Sequence, residues 1–303
     1  MRGKMTATQS QGSFLWTLPQ PLAVFGGTGL VASASITGWT DADTLAQILM
    51  ALPILLVPFL ERLRPRREDW LIKRDDLFED FFWVLWMALI WVPIFDEYYD
   101  TPISNLFVSI REASNFSYSL EAETTAGLLA AAMAGIVIVE FISYWAHRAQ
   151  HRFLFLWRIH ATHHHITKLN VLKGSRTHPL ELLGLNLGGA VALAFLGASD
   201  DVVRVVFVFA TITTFFNHSN LPLRPGIFGW VFTAAEMHQL HHSCDFDESN
   251  TNYGCGVIIW DRVFGTFSDR PSIERAGSGT GKRLSLLSQI TIPFRSNRVL
   301  RNL

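Results

Sequence analysis

Histidine is the residue type whose distribution first points to chemistry in this chain. All 11 histidines lie between His147 and His242. Eight of them fall in three short patterns: HxxxH, which begins at His147, and HxxHH, which begins at His160 and again at His238. Residues three or four positions apart share one face of a helix, so these spacings let neighbouring imidazoles bind the same ion. The sequence therefore predicts a metal centre.

The predicted ligand set is too large for one ion. It comprises His147, His151, His160, His163, His164, His178, His218, His238, His241 and His242. Zinc takes four protein ligands in structural sites and three in catalytic sites, so this set predicts two ions. Imidazole suits iron, copper and zinc. Histidine-rich pairs of ions are typical of iron or copper that reacts with O₂, and zinc stays open on ligand type alone.

Three histidines have a second explanation. His178 and His165 could each serve as a hydrogen-bonding residue instead of a ligand, and His218, at the end of an apolar helix, could interact with the helix dipole. His165 extends the second pattern and has no assigned role. The two cysteines, Cys244 and Cys255, form no CxxC pair. We therefore exclude an iron–sulfur cluster or a thiolate zinc site.

Polar residues near the patterns are candidates to hold the imidazole rings, because the second nitrogen of a ligating histidine usually has a hydrogen-bond partner. We expect Glu140, Glu181 and Asn217 in this role, with Asp245 and Asp261 as weaker candidates. Glu140 precedes His147 on the same helical face, at a depth where an acid is costly unless it is paired. Its alternative is to extend towards the membrane surface.

The composition indicates a membrane protein. Residues of the hydrophobic set make up 49% of the chain, and charged residues make up 17%, against a usual charged share of about 25%. The net charge is −1. This balance excludes a disordered chain and gives no reason to expect a nucleic-acid partner.

Several apolar runs have the length and composition of membrane-spanning helices or of parts of them. They are Thr44–Leu60, Phe81–Phe95, Thr124–Val139, Leu182–Ala198, Val205–Phe216 and the weaker Pro21–Gly38. The shorter runs would also suit buried helices of a soluble protein. Together they predict an all-α, polytopic membrane bundle of about four spans, plus the weaker N-terminal one, with a helical histidine-rich cap. We expect Leu182–Ala198 and Val205–Phe216 to form a hairpin, and we see no cleavable signal peptide.

Loop charges predict which side of the membrane carries the histidines. The segment 61–76 holds six basic residues, whereas 96–123 holds Arg111 alone against six acids. The segment 147–178 holds six basic residues and no acid. Because Lys and Arg accumulate on the cytoplasmic side, the first and third segments are predicted to lie inside and the second outside. The histidine site would then face the cytoplasm.

The chain is predicted to form a single membrane domain over residues 1–303, with a catalytic region at 140–267 and a polar cytoplasmic tail at 268–303. Within the tail, the glycine-rich segment 277–282 fails the spacing of a phosphate-binding loop and is expected to be a flexible turn. The basic start, Met1–Lys4, would lie inside if Pro21–Gly38 spans and outside if it does not.

The motifs together resemble those of the fatty acid hydroxylase and sterol desaturase superfamily. They are, in order, WAHRAQH from Trp145, LWRIHATHH from Leu156, RTHPLE from Arg176, NHSNL from Asn217, HQLHHS from His238, NYG from Asn252 and WDRVFGTF from Trp260. They cover residues 140–267. The HPLE and NHSNL strings are more similar to the sterol desaturase branch. The first motif has three residues between its histidines, where some branches have four.

This resemblance implies a membrane-bound non-haem di-iron oxygenase that hydroxylates or desaturates a lipid, either a sterol or a fatty acyl chain. It implies two iron ions, with zinc as a substitute, and the substrates O₂ and a lipid from the bilayer. No flavin, haem or nicotinamide motif is visible, so an external electron donor is expected: a reductase, a ferredoxin or a cytochrome b5-like protein.

Two alternatives remain open at this stage. One is a histidine-rich membrane metal transporter, which would place its ligands inside the spans, near the bilayer midplane. The other is a zinc-dependent membrane hydrolase or isomerase on the same scaffold, although no HExxH motif is present.

Overall fold

The computed structural model describes residues 14–270, 273–278 and 282–300. Within these ranges the regular elements are helical, and none of them is a strand. The helices are α1 (Pro19–Thr37), α2 (Ala42–Leu63), α3 (Arg74–Ala113), α4 (Thr125–Arg152), α5 (Leu154–His164), α6 (Pro179–Leu185), α7 (Leu187–Phe195), α8 (Asp200–His218), α9 (Ala235–His241), α10 (Phe246–Ser249), α11 (Ile259–Val263), α12 (Leu286–Ile290) and α13 (Asn297–Leu300). The predicted all-α class is confirmed.

Among the described residues, four helices are long and apolar enough to cross a membrane: α2, α3, α4 and α8. They contain the apolar runs that the sequence marked at Thr44, Phe81, Thr124 and Val205. The prediction of about four spans is therefore confirmed, and the protein is an integral membrane protein.

The long helices run alternately between two ends of one bundle. At one end, Arg204 of α8 donates hydrogen bonds to Ser35 of α1 and Asp43 of α2. At the other end, Gln20 of α1 bonds Asn217 of α8. We call the end with Gln20 and Asn217 the histidine end, because α4 and α8 both finish there with histidines. We call the end with Arg204 the distal end.

Helix α1 contains the weaker run Pro21–Gly38, and its placement answers whether this run belongs to the bundle. It lies antiparallel to α8, and Val24 and Val31 are completely buried. The two helices are so close that a Cβ on Gly27 would lie 2.7 Å from the Cδ1 atom of Ile212. α1 therefore begins at the histidine end and finishes at the distal end. The segment 1–4 lies outside the described residues.

Helix α3 departs from the expected topology. The segment 96–123 was predicted to be an external loop, but it is helical as far as Ala113. Pro93 lacks the N–H group that a regular α-helix would use. π-helical turns at Trp86–Trp91 and Asp96–Asp100 lie on either side of it, so the helix continues past the proline. The connection to α4 is shortened to residues 114–124.

The predicted helical hairpin is present, but its first arm is divided. α6 and α7 are two short helices that meet at Asn186, and α8 is the continuous second arm. The turn between the arms contains Gly197 with φ +60°, where a Cβ would lie 2.8 Å from the guanidinium group of Arg111. A residue with a side chain would therefore be strained and crowded at this turn.

The described part of the C-terminal tail packs against the histidine cap. Ile292 is 1% exposed and packs with Trp157 of α5. Gln289 accepts a hydrogen bond from the Trp83 indole N–H at 2.9 Å, and its carbonyl accepts another from Thr162 at 3.0 Å. The polar tail thus has a buried face. The predicted flexible turn at 277–282 lies partly outside the described residues.

The alternating directions predict which connections share a side of the membrane. Cysteines introduced at Thr40 and Ser117, both at the distal end, should react with a membrane-impermeant maleimide from one side of sealed vesicles. A cysteine at Asp247, at the histidine end, should react only from the other side. Native Cys244 and Cys255 would first be replaced by serine, and this background serves as the control. Labelling of Thr40 and Asp247 variants from the same side would contradict the bundle.

Candidate metal centre

Two helix ends and two short helices bring the histidines together. His147 and His151 occupy the last turns of α4, and His218 is the last residue of α8. Phe153, in extended backbone, both ends α4 and precedes α5, so the chain turns sharply and α5 returns its three histidines to those of α4. α9 carries His238 and His241 of the last pattern and ends at His241, and His242 follows as its C-cap.

Nine of the ten predicted ligands form two groups. Within each group the ligand nitrogens lie within 4.8 Å of one another. The first group consists of His147, His151, His160, His164 and His241, and the second consists of His163, His218, His238 and His242. The groups adjoin, because the rings of His164 and His242 are stacked with centroids 4.6 Å apart. Each group has enough ligand nitrogens in reach of one another to hold a metal ion.

Helix geometry decides which histidine joins which group. Histidines four positions apart always belong to the same group, as His160 and His164 do. His163, between them, belongs to the other group, and His241 likewise separates from His238 and His242. Successive helical side chains differ in direction by about 100°, so adjacent histidines diverge while residues four apart nearly coincide. The HxxHH pattern therefore contributes histidines to both groups.

The hydrogen bonds of the Nδ1 atoms, which point away from the histidine groups, determine which nitrogen of each imidazole carries the proton. His147 Nδ1 lies 2.6 Å from the Tyr253 carbonyl, and His241 Nδ1 lies 2.8 Å from the Thr251 carbonyl. A carbonyl can only accept, so both Nδ1 atoms carry the proton and both Nε2 atoms carry a lone pair. These two Nε2 atoms face each other at 2.9 Å.

The second group repeats this arrangement. His163 Nδ1 donates to the Arg176 carbonyl at 3.0 Å, and His218 Nδ1 donates to the Thr214 carbonyl at 2.8 Å. Their Nε2 atoms lie 3.3 Å apart. Facing lone pairs repel unless a cation lies between them, and the metal–nitrogen distance of about 2.1 Å fits such spacings. The donor set therefore fits a metal ion in each group.

The sites are enclosed by the protein. All the grouped histidines are buried except His151, which is half-buried. Burial lowers the pKa of His160, His163 and His164 well below its usual range, and it does the same to the three histidines of the last pattern. These rings are therefore neutral at pH 7, which is the form that binds metal. Trp157 and Tyr253 cover the first group with ring centroids 5.3 Å from His151.

The structure places Glu181 directly against a ligand. Its Oε1 atom accepts a hydrogen bond from His160 Nδ1 at 2.5 Å, and the side chain is 1% exposed. Burial raises the pKa of this carboxyl group well above its usual range. The second oxygen of Glu181 has no partner among the described residues.

Glu140 and Asn217 act one step further away than predicted. Glu140 accepts hydrogen bonds from the N–H groups of Gly256 and Val257 at 2.7 and 3.2 Å, and Asn217 donates to the Cys255 carbonyl at 2.8 Å. Neither bonds an imidazole. Both hold the segment 253–257, and that segment supplies the carbonyl that accepts from His147.

Asp261 belongs to the same arrangement. It accepts hydrogen bonds from the N–H groups of Tyr253 and Gly254 at 2.8 and 2.7 Å, and from the hydroxyl of Thr266 at 2.6 Å. Three buried polar side chains from three helices thus hold one five-residue segment. Asp245, by contrast, is exposed and caps α10.

Two histidines lie outside both groups. The prediction that His178 is a ligand is not met, because its Nδ1 accepts the Leu180 N–H and caps α6, and its ring lies near Phe294 of the tail. His165 bonds the Ser278 hydroxyl at 3.0 Å and the Lys282 carbonyl at 2.6 Å. Its position explains why it lacks a ligand role.

Residues that act through the backbone escaped the sequence analysis. Tyr253, Thr251 and Arg176 hold ligands through their carbonyl groups, which carry no side-chain signature. Asn250 lies 3.3 Å from His151 Nδ1. The NYG string that begins at Asn252 was the signal for this segment in the sequence, since it is one of the motifs that carry the family resemblance.

Comparisons with known proteins agree with this geometry. Residues 132–266 match the model of the fatty acid hydroxylase family. The ornithine lipid hydroxylase OlsE of Rhizobium tropici is 36% identical over 162 residues, which are 53% of this chain and 49% of that protein. An alkylglycerol monooxygenase of Caenorhabditis elegans is 31% identical over 128 residues, 42% of this chain and 25% of that protein.

A third relative is named for a different activity. The very-long-chain aldehyde decarbonylase GL1-8 of Oryza sativa subsp. indica is 31% identical over 135 residues, 44% of this chain and 50% of that protein. The chain thus spans half or less of the length of these three relatives. No solved structure matches.

The two groups predict different outcomes for two histidine substitutions. His164→Ala removes a ligand of the first group and should lower the iron content of the purified protein by about one ion per chain. His178→Asn keeps an acceptor that can cap α6 and should leave the iron content unchanged. Inductively coupled plasma mass spectrometry measures both. Equal iron loss in the two variants would mean that His178 is a ligand.

Proposed function

Since the histidine-bearing region of this chain belongs to the fatty acid hydroxylase superfamily, we propose that the protein is a membrane lipid hydroxylase. In this proposal the two histidine groups hold two iron ions, and the enzyme uses O₂ and externally supplied electrons. The overall reaction converts a C–H bond, O₂, two electrons and two protons into an alcohol and water. The sterol desaturase-like assignment stays a prediction.

The observation that carries this proposal is the pair of adjoining groups in which lone pairs of neutral imidazoles face each other. The first group offers five nitrogens, one more than a tetrahedral structural zinc uses. Two neighbouring iron ions, when bound, supply the redox chemistry that activates O₂ for attack on an unactivated C–H bond. The protein contributes the positions of the ligands and a site shielded from water.

The location of the groups supports a lipid substrate. His147 and His151 end the spanning helix α4, and His218 ends α8. The site therefore adjoins the bilayer, where an apolar chain can move sideways into it with little change in solvation. Two of the relatives act, by name, on an ornithine lipid and on alkylglycerols. We propose a membrane lipid with an acyl or alkyl chain as the substrate class.

The proposed orientation places the site on the cytoplasmic side. The basic segments 61–76 and 147–178 both lie at the histidine end, which supports this orientation through the positive-inside rule. A soluble donor such as a ferredoxin or a cytochrome b5-like protein would then supply electrons from the cytoplasm. The metal-transporter alternative is less favoured, because the ligands lie at the ends of the spanning helices and not at their middles.

The proposal predicts oxygen insertion that depends on the grouped histidines. Purified, iron-loaded protein would be incubated with ¹⁸O₂, a ferredoxin–reductase couple and a panel of ornithine lipid, alkylglycerol, fatty acid and sterol. Mass spectrometry should show one ¹⁸O atom in a hydroxylated lipid. His241→Ala should reduce this product at least 100-fold, because it removes a ligand of the first group.

His165→Asn is the matched control, since His165 bonds the tail and lies outside both groups. It should retain most of the activity. A product without ¹⁸O, a hydrolysed lipid, or equal activity in the His241 and wild-type proteins would refute the proposal. Formation of a shortened hydrocarbon from a fatty aldehyde would indicate that the protein catalyses the decarbonylase reaction instead.

A further inference from the structure

We infer that Gln20, at the start of α1, is a positioning residue for the second histidine group, because its side chain fastens the end of α8 to the start of α9. This inference rests on the proposed metal binding by that group. Gln20 lies outside residues 132–266, which match the family model. Its role is therefore a feature of the N-terminal part of this chain.

The side-chain amide of Gln20 is bonded on both atoms. Its Nε2 atom donates to Asn217 Oδ1 at 2.8 Å and to the Thr233 carbonyl at 3.1 Å. Its Oε1 atom accepts from the N–H group of Ala235 at 3.2 Å. The residue is 2% exposed. All three partners belong to segments that lead directly into metal-ligating residues.

The bond to Ala235 compensates for a weak helix start. α9 begins at Ala235, after Ala234, which has no side chain that can cap the helix. The first N–H groups of a helix need outside acceptors, and alanine is a poor N-cap residue. Gln20 supplies that acceptor from a different helix. α9 carries His238 and His241, and His242 follows it directly.

The hydrogen bond from Gln20 to Asn217 holds the end of α8, which carries the histidine that faces His238. Asn217 precedes His218, the ligand at the end of α8. The Nε2 atoms of His218 and His238 face each other at 3.1 Å. Gln20 thus connects the two chain segments whose separation determines that distance. Without it, α9 would lose its cap and this link to α8, and the hydrogen bond from the Gln239 side chain to the Ser219 carbonyl at 2.7 Å would remain.

The packing of α1 is consistent with this role. α1 is not among the helices that meet the length and hydropathy requirements of a span, yet its Val24 and Val31 are fully buried. The helix is held by contacts with the bundle along its length. Gln20 stands at the end of that packed face, level with the metal centre.

The test compares Gln20→Leu with the wild-type protein and with Thr28→Val. Leucine keeps the volume of the side chain and removes all three hydrogen bonds. Thr28 is buried on the same helix, and among the described residues its hydroxyl bonds carbonyls of α1 alone, so its replacement is a matched control. Each protein would be loaded anaerobically with Fe(II) in detergent, and iron release to a colorimetric Fe(II) chelator would be followed over time.

Gln20→Leu should release one of its two iron ions at least tenfold faster than the wild-type protein, which is the usual scale for loss of a residue that supports a metal ligand. The other iron should leave at the wild-type rate, and Thr28→Val should release both irons at wild-type rates. Should Gln20→Leu fail to fold, Gln20→Glu decides the question. It keeps an acceptor for Ala235 and loses both donors, so faster release of one ion is again expected.

Wild-type release of both irons from the Gln20 variants would overturn the inference, as would equal acceleration of both ions, which indicates general destabilisation. Failure of the proposed function is distinguishable, because the wild-type protein itself would then hold no pair of iron ions.

Discussion

The whole arrangement depends on one electrostatic constraint: imidazole nitrogens that carry lone pairs face each other at about 3 Å inside the protein. Backbone carbonyls hold the protons of His147, His163, His218 and His241 on the outer nitrogens, so no proton is left to bridge the facing pairs. Protonation of these rings would remove the repulsion between the lone pairs, but burial disfavours the charged form. A bound cation relieves the repulsion, which couples metal binding to the packing of the cap.

Carbonyls can hold the histidines only if their own segments are held. Glu140 reaches the segment 253–257 from a membrane-spanning helix, and Asn217 and Asp261 hold the same segment from other directions. Acids and amides buried at this level would be costly without such partners. The bundle and the cap are therefore one structure, in which the ends of the spans determine the positions of the ligands.

The chemistry of the site could be predicted because it is local in sequence. The HxxxH and HxxHH patterns identify the candidate ligands directly. A spacing of four residues implies that the two histidines can bind the same ion. The division of His163 and His164 between the two histidine groups was not predictable, because it depends on how α5 faces α4 and α9. Gln20 lies 197 positions from Asn217, and no local pattern marks such a contact. The length of α3 was not predictable either, because π-helical turns on both sides of Pro93 allow the helix to continue through part of the predicted external loop at 96–123.

Mössbauer spectroscopy of ⁵⁷Fe-loaded, detergent-purified protein, combined with iron and protein quantification, tests the central claim most directly. The account predicts about two irons per chain and, after oxidation, a magnetically coupled ferric pair, because the two histidine groups adjoin. One iron per chain, or two irons that show no magnetic coupling, would contradict the paired site. Selective retention of zinc with exclusion of iron would contradict the oxygen chemistry proposed for it.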